Sequence, residues 1–168
     1  MTSYTSHTGL ADLHAERDIR TALALYCRAM DRMDDELALT LFEASATVDY
    51  APDMFTGRAR DFVPWVHALH EGFVTTVHRL TTVAIDVRGE HAESEAYGHV
   101  LLLQRGGQGE QIRHGYGRYV DQWVLDGGRW LIAHRAYRRD LGYTERINAA
   151  PSGGRRDRDD FSYAILSG

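Results

Sequence analysis

Apolar positions in the first quarter of the chain recur with a helical period. Ile19, Leu23, Tyr26, Met30 and Met33 are spaced four, three, four and three residues apart, which places them on one helical face. The stretch 16–42, ERDIRTALALYCRAMDRMDDELALTLF, therefore reads as a long amphipathic helix, a short charged break and the start of a second helix. Asp34 is placed to N-cap that second helix, and Leu37, Leu41 and Phe42 continue its apolar pattern to about Ala44. Tyr26 is the one polar member of the first face, and Asp31 follows it at the helix end. Further on, ATVDYA (46–51) alternates, with Val48 and Tyr50 on one side, and predicts a short strand. Pro52 and Asp53 make a turn. A third helix is predicted from near Asp61, with Phe62, Trp65, Val66 and Leu69 inward and Pro64 in its first turn.

From Val74 the period changes to two. Strands are predicted over Thr75–Val87, His91–Gln104, Ile112–Leu125 and Arg129–Arg139. The Gly-rich stretch Gly106–Gly109 closes one hairpin, and Asp126-Gly127-Gly128 is a strong signal for another. Gly98, Gly115 and Gly117 lie inside strands, where glycine often marks bulges and bends. Helices first and a strand meander afterwards predict an α+β fold. A curved antiparallel sheet wrapped round three helices would form a cone with a pocket at its wide end. The chain divides into a loose arm over 1–14, one domain over 15–142 and a tail over 143–168. Within the tail, PSGGRRDRDD cannot build a core, yet FSYAILSG is apolar. Such a tail is either disordered, or folded over the pocket mouth or onto a neighbouring subunit.

Composition narrows the classes. With 168 residues, 43% apolar and 26% charged, the chain is long enough for one buried core. A net charge of −5, with no basic stripe before residue 135, argues against nucleic acid as a partner. No run approaches the roughly 20 apolar residues of a membrane span. Cys27 is the single cysteine and MTSYTSHTGLADLH shows no signal-peptide pattern, so a reducing cytoplasm is expected. His67 and His70 stand three apart on the third helix as half a metal site, but nothing completes the set. Gly106–Gly109 joins two strands rather than a strand and a helix, so it is not a phosphate cradle. No metal and no cofactor are expected.

The ordered set ALYCRAMDRMDDELALTLF, TVDYA, a TGR-initiated helix, TTVHRLTT and GRYVDQWVLDGGRWLIAHR resembles the SnoaL-like branch of the nuclear-transport-factor-2-like superfamily. The resemblance covers roughly residues 12–140. It is strongest to the group that includes bile-acid 7α-dehydratase, scytalone dehydratase and hexachlorocyclohexane dehydrochlorinase. That group carries an aspartate at the end of the first helix and a histidine on the strand after the third, which fall here on Asp31 and His78. A tyrosine five residues before the aspartate matches Tyr26. The resemblance extends to Tyr50 on the first strand and, loosely, to His99 on a later one.

An Asp–His pair in an apolar cavity is a proton-transfer device. Histidine serves as general base or acid near neutral pH, and a carboxylate on its other nitrogen fixes its tautomer. Asp31 would sit where a helix dipole disfavours an anion, so it calls for a partner. Tyr26 would donate to a developing oxyanion or a leaving hydroxyl. On an ideal helix, positions five apart differ by about 140°, so Tyr26 and Asp31 converge only if the helix ends or bends near Met30. Trp65, Phe73 and Leu101–Leu103 offer apolar wall. Arg135, Tyr137 and Arg139 alternate on the last strand, either at the surface or, for Arg135, on the substrate. The reading is a cofactor-free dehydratase acting on an apolar polycyclic or polyketide-like compound. A cyclase or isomerase using the same groups, or a binding module without turnover, are the alternatives. A homo-oligomer, dimer or trimer, is expected because a curved sheet leaves an outer face to cover.

Overall fold

The computed structural model describes residues 9–50, 52, 54–106, 109–148 and 153–166. Helix α1 spans Leu10–Arg32, so the chain is helical well before Glu16 and part of the expected loose arm is ordered. Residues 1–8 of that arm lie outside the described residues. Ile19, Leu23, Tyr26 and Met30 of the expected face are at most 2% exposed. Met33 ends the helix in the left-handed region with φ 55°, its N–H reaching back to the Ala29 carbonyl. Asp34 then caps α2, Asp35–Leu39, by accepting from the Leu37 N–H at 3.0 Å.

The second helix is shorter than expected. Phe42 opens strand β1, Phe42–Asp49, because the Leu41 carbonyl accepts from Ile132 N–H and the chain joins the sheet there. Strand β2, Thr56–Arg58, pairs with β1, and Arg58 leads into α3, Ala59–His70. Pro64 lies past the first turn of α3, on its exposed side. The buried face of α3 is rotated from the expected one. Phe62, Val63, Val66, His67 and His70 are buried, Trp65 is half-buried, and Leu69 is 48% exposed.

Four long strands follow: β3 Thr75–Arg88, β4 His91–Gly106, β5 Gly109–Asp126 and β6 Arg129–Ile147. The six strands form one curved, open sheet in the order β2-β1-β6-β5-β4-β3. Only β1 and β6 run parallel; every other pair is antiparallel. Gly127 and Gly128, φ +53° and +78°, make the two-residue turn between β5 and β6. The last strand runs past Arg139, and from Arg138 to Arg146 its residues are exposed. One β6 residue, Asp140, is bulged out where Tyr116 and Gly117 pair with Leu141 and Arg139. Helices α1 and α3 fill the concave face. The fold is therefore the expected α+β one, with an unclosed sheet. A four-residue helix, α4, Ser162–Ile165, lies in the tail. No helix of the described residues is long and apolar enough to cross a membrane.

Candidate active site

The end of α1 meets the edge of the sheet. Strand β3 is the outer strand of its side, so alternate N–H groups have no strand partner. Asp31 takes one of them: both its carboxylate oxygens accept from the His78 N–H at 3.0 Å. The same carboxylate accepts from His78 Nδ1 at 2.7 Å. These contacts fix the ring orientation, place the proton on Nδ1 and leave Nε2 as the free acceptor. The His78 side chain is 6% exposed and that of Asp31 15%, so the pair is largely shielded from solvent.

A second polar cluster lies deeper, between α1, β1, β5 and β6. Arg135 is fully buried and holds Asp121 through two bonds of 2.7 Å. Its guanidinium stacks over the rings of Tyr26 at 4.1 Å and Tyr119 at 4.6 Å. Its third nitrogen, Nη1, is buried without a partner. Burial works against the Arg135 charge, but Asp121 outweighs it and holds the guanidinium protonated well above its ordinary range. The Tyr26 and Tyr50 hydroxyls are 2.9 Å apart, and Tyr50 packs on Phe62 and Tyr137. Burial raises the pKa of Tyr26, Tyr50 and Tyr119, so all three remain neutral phenols able to donate.

The 140° between Tyr26 and Asp31 has a visible consequence. The helix stays regular to Arg32, so Tyr26 points at the Arg135 cluster and Asp31 at β3. Cys27 lies within electrostatic reach of both Asp31 and Arg135, and burial pushes its thiol up to about 12. It is therefore a neutral group between the clusters, not a thiolate nucleophile.

The remaining expected residues separate. His78 faces α1, so its neighbour Arg79 faces outward, and Arg79 pairs with His99 across the strands. His99 is accordingly on the outer face, stacked on Tyr116 and bonded to His114 at 3.1 Å, away from Asp31. The same alternation puts Val100 and Leu102, rather than Leu101 and Leu103, on the face of His78. Trp65 packs against Phe55 and Phe62, on the flank of the Tyr50 stack, and touches neither Asp31 nor His78. Surface concavities of about 560 and 290 Å³ open around Asp86, Arg88 and Glu93; the first is also lined by Asp121, and neither by Tyr26, Asp31, Tyr50, His78 or Arg135. His67 and His70 point into the interior, and among the described residues no group of three His, Cys, Asp or Glu is arranged to hold a metal ion.

Three neighbours escaped the sequence reading. Asp121 becomes visible only once the β5–β6 register is known. His70, whose ring centroid lies 5.7 Å from that of His78, was legible only as the partner of His67. Arg156 of the tail donates to the carbonyls of His70 at 3.1 Å and Phe73 at 2.6 Å.

The family model described as a SnoaL-like domain matches residues 11–136. No curated protein matches the chain. Among solved structures, a putative scytalone dehydratase from Novosphingobium aromaticivorans is 25% identical, with 84% of this chain and 95% of that one covered and a TM-score of 0.70. A type 2 hexachlorocyclohexane dehydrochlorinase is 16% identical over 86% and 98% of the two chains, TM-score 0.71. A protein of unknown function with a cystatin-like fold, from Nostoc punctiforme, is 17% identical over 80% and 96%, TM-score 0.63. The last two likenesses speak for the fold alone.

Proposed function

The chain belongs to the SnoaL-like domain family of the nuclear-transport-factor-2-like superfamily, and from that premise we propose that it is a cofactor-free dehydratase. The observation that carries the proposal is the Asp31–His78 pair, with the ring anchored on Nδ1 and its Nε2 unengaged among the described residues. His78 Nε2 takes a proton from a carbon next to a carbonyl. The electron pair of that C–H bond forms the new double bond, the C–O bond to the leaving hydroxyl breaks, and the hydroxide takes the proton now on His78 Nε2 and departs as water, which returns His78 to its starting form. Asp31 orients His78 and stabilises the imidazolium as it forms.

Tyr26, a neutral donor with Tyr50 behind it, supplies a hydrogen bond to the oxygen on which charge gathers. Arg135 keeps a positive field there, and its unpartnered Nη1 suits a carbonyl or leaving oxygen. Tyr50 and Arg135 thus act as substrate-side groups. Trp65 supports Tyr50 from the flank by packing on Phe62, which lies under Tyr50. The similarity to a putative scytalone dehydratase supports elimination of water as the reaction. An apolar polycyclic or polyketide-like compound suits the aromatic surroundings of Tyr50, Phe62, Tyr119 and Tyr137.

The test is turnover of β-hydroxy carbonyl polycycles by wild type and His78→Ala. Positioned acid–base catalysis contributes about 10²–10⁴ in rate, and a loss in that range is expected. Near-wild-type turnover by the variant removes His78 from the chemistry. A product isomeric with its substrate replaces dehydration by isomerisation or cyclisation.

A further inference from the structure

Arg113 and Arg139 have no part in the mechanism above, yet strand register puts both on the face of His78. His78 pairs with Val100, Val100 with Gly115 and Gly115 with Gly142, a row that crosses four strands. Arg113 stands two residues from Gly115 on β5, so the two share a face. On β6 the bulge at Asp140 shifts the alternation, and Arg139, paired with Gly117, joins that face as well. Val100 and Gly115 are half-exposed and Gly142 is exposed, so the helices leave this end of the row open.

The two arginines line one concavity of about 420 Å³ with Gly142 and Thr144. Arg139 lies along Gly142, where a Cβ would stand 3.4 Å from its Cδ. Both arginines are exposed, and neither is bonded to a carboxylate among the described residues. The neighbouring acids are taken: Asp140 accepts from Arg118 at 3.0 and 3.1 Å, and Glu145 from His114 at 3.0 Å. Two like charges beside one hollow repel unless an anion joins them. A third group faces the same floor. Tyr137 is 9% exposed, and its hydroxyl makes no hydrogen bond among the described residues. That hydroxyl stands 3.7 and 2.9 Å from the places a Cβ would take on Gly115 and Gly117. Burial raises its pKa against the pull of Arg139, so it is a neutral donor.

We propose that Arg113, Arg139 and the Tyr137 hydroxyl bind a carboxylate on the substrate, so that the compound dehydrated is an otherwise apolar polycyclic acid. The proposal rests on reading His78 as the base. Guanidinium groups take a carboxylate through paired, charge-assisted hydrogen bonds, and the phenol donates to one of its oxygens. The carboxylate lies over Gly115 and Gly142, two to three strand spacings, or roughly 10–14 Å, from His78 across the sheet. A tricyclic skeleton covers that distance. Val100 and the two glycines form a low floor beneath it, and the reacting carbon is left at His78.

The experiment is calorimetric titration of the full-length protein with anthracene-2-carboxylate and with the matching carboxamide, which has the same shape and no charge. Wild type should bind the acid about tenfold more tightly, the low end of what a hydrogen bond to a charged group contributes. Arg113→Gln and Arg139→Gln should each lose part of that preference, and the double variant all of it, with thermal unfolding as in wild type. Tyr137→Phe should lower the preference too. Arg79→Gln, on the opposite face, should leave it unchanged. Equal binding of acid and amide by wild type, failure to bind the acid, or a preference that survives in the double variant overturns the carboxylate subsite. A full preference in Tyr137→Phe removes the tyrosine from it. His78→Ala should keep the preference, because binding needs no base. A subsite that fails here therefore leaves the role of His78 untouched, since that is read from turnover of His78→Ala.

Discussion

Asp31 occupies a position that by itself disfavours it, the negative end of a 23-residue helix. Its bonds to the His78 backbone and ring offset that, so the carboxylate and the imidazole hold each other in place. The Arg135–Asp121 pair is a buried charge pair in which both side chains are fully enclosed. Removing one partner strands the other, at about 3–5 kcal/mol, whereas apolar replacement of both is often near neutral. Arg135→Met alone should therefore destabilise by that amount, and Asp121→Leu/Arg135→Met by much less, as read from urea unfolding. A loss in the double variant equal to the sum of the losses from Arg135→Met and Asp121→Leu alone would show that the charges are not coupled. The sequence made Asp31 and His78 legible because a family motif carried both positions. Asp121 was not legible, since no local pattern reports which residue lies across a strand. His99 was misplaced for a related reason: its facing depends on strand parity, which the register with Arg79 settles.

At the scale of elements, periodicity located α1, α3 and the four long strands, while ends were set by partners further along the chain. The second helix stops early because β6 captures Leu41, an event with no local signal. Glycine inside strands was a sound indicator. A Cβ on Gly117 would meet the Arg138 carbonyl oxygen and stand 2.9 Å from the Tyr137 ring. Gly117→Ala should cost about 1–3 kcal/mol, the usual range for forced overpacking, in thermal or urea unfolding; no loss would mean that the bulge relaxes freely. The tail is ordered over 153–166 and is held by polar contacts. Tyr163 donates to Asp34 at 2.7 Å, Arg158 to Asp34 and Glu36, and Arg28 stacks on Tyr163. Phe161, Ile165 and Leu166 point to solvent. The Ser162 hydroxyl, with the Arg155 and Ser162 amides, holds Asp160 below the usual carboxylate range. A depressed carboxylate stabilises above its unfolded value, about 4, and that contribution is lost as pH falls through the lower folded value. The amides of 153–166 should therefore be protected from hydrogen exchange at neutral pH and lose that protection, taken relative to the intrinsic rate at each pH, on acidification, and Asp160→Asn should lower it at neutral pH. Unchanged protection in that variant would show that the tail is held by other contacts.

For the whole molecule, a sheet curved round two helices puts the acid–base pair at its edge and the arginine–tyrosine cluster at its centre, both beneath the helices that cover the concave face. The convex face carries Tyr97, Val120, Leu141 and Tyr143, each at least 42% exposed. The central claim is that His78, aimed by Asp31, removes a carbon-bound proton. The most direct measurement is incubation of wild type and His78→Ala with a β-hydroxy carbonyl polycycle deuterated at the acidic carbon, followed by mass spectrometry. The expected product is lighter by one water and lacks that deuterium, with a primary isotope effect in wild type and about 10²–10⁴ less product from the variant. A product that keeps the deuterium, or a variant that forms product as fast as wild type, would contradict the claim.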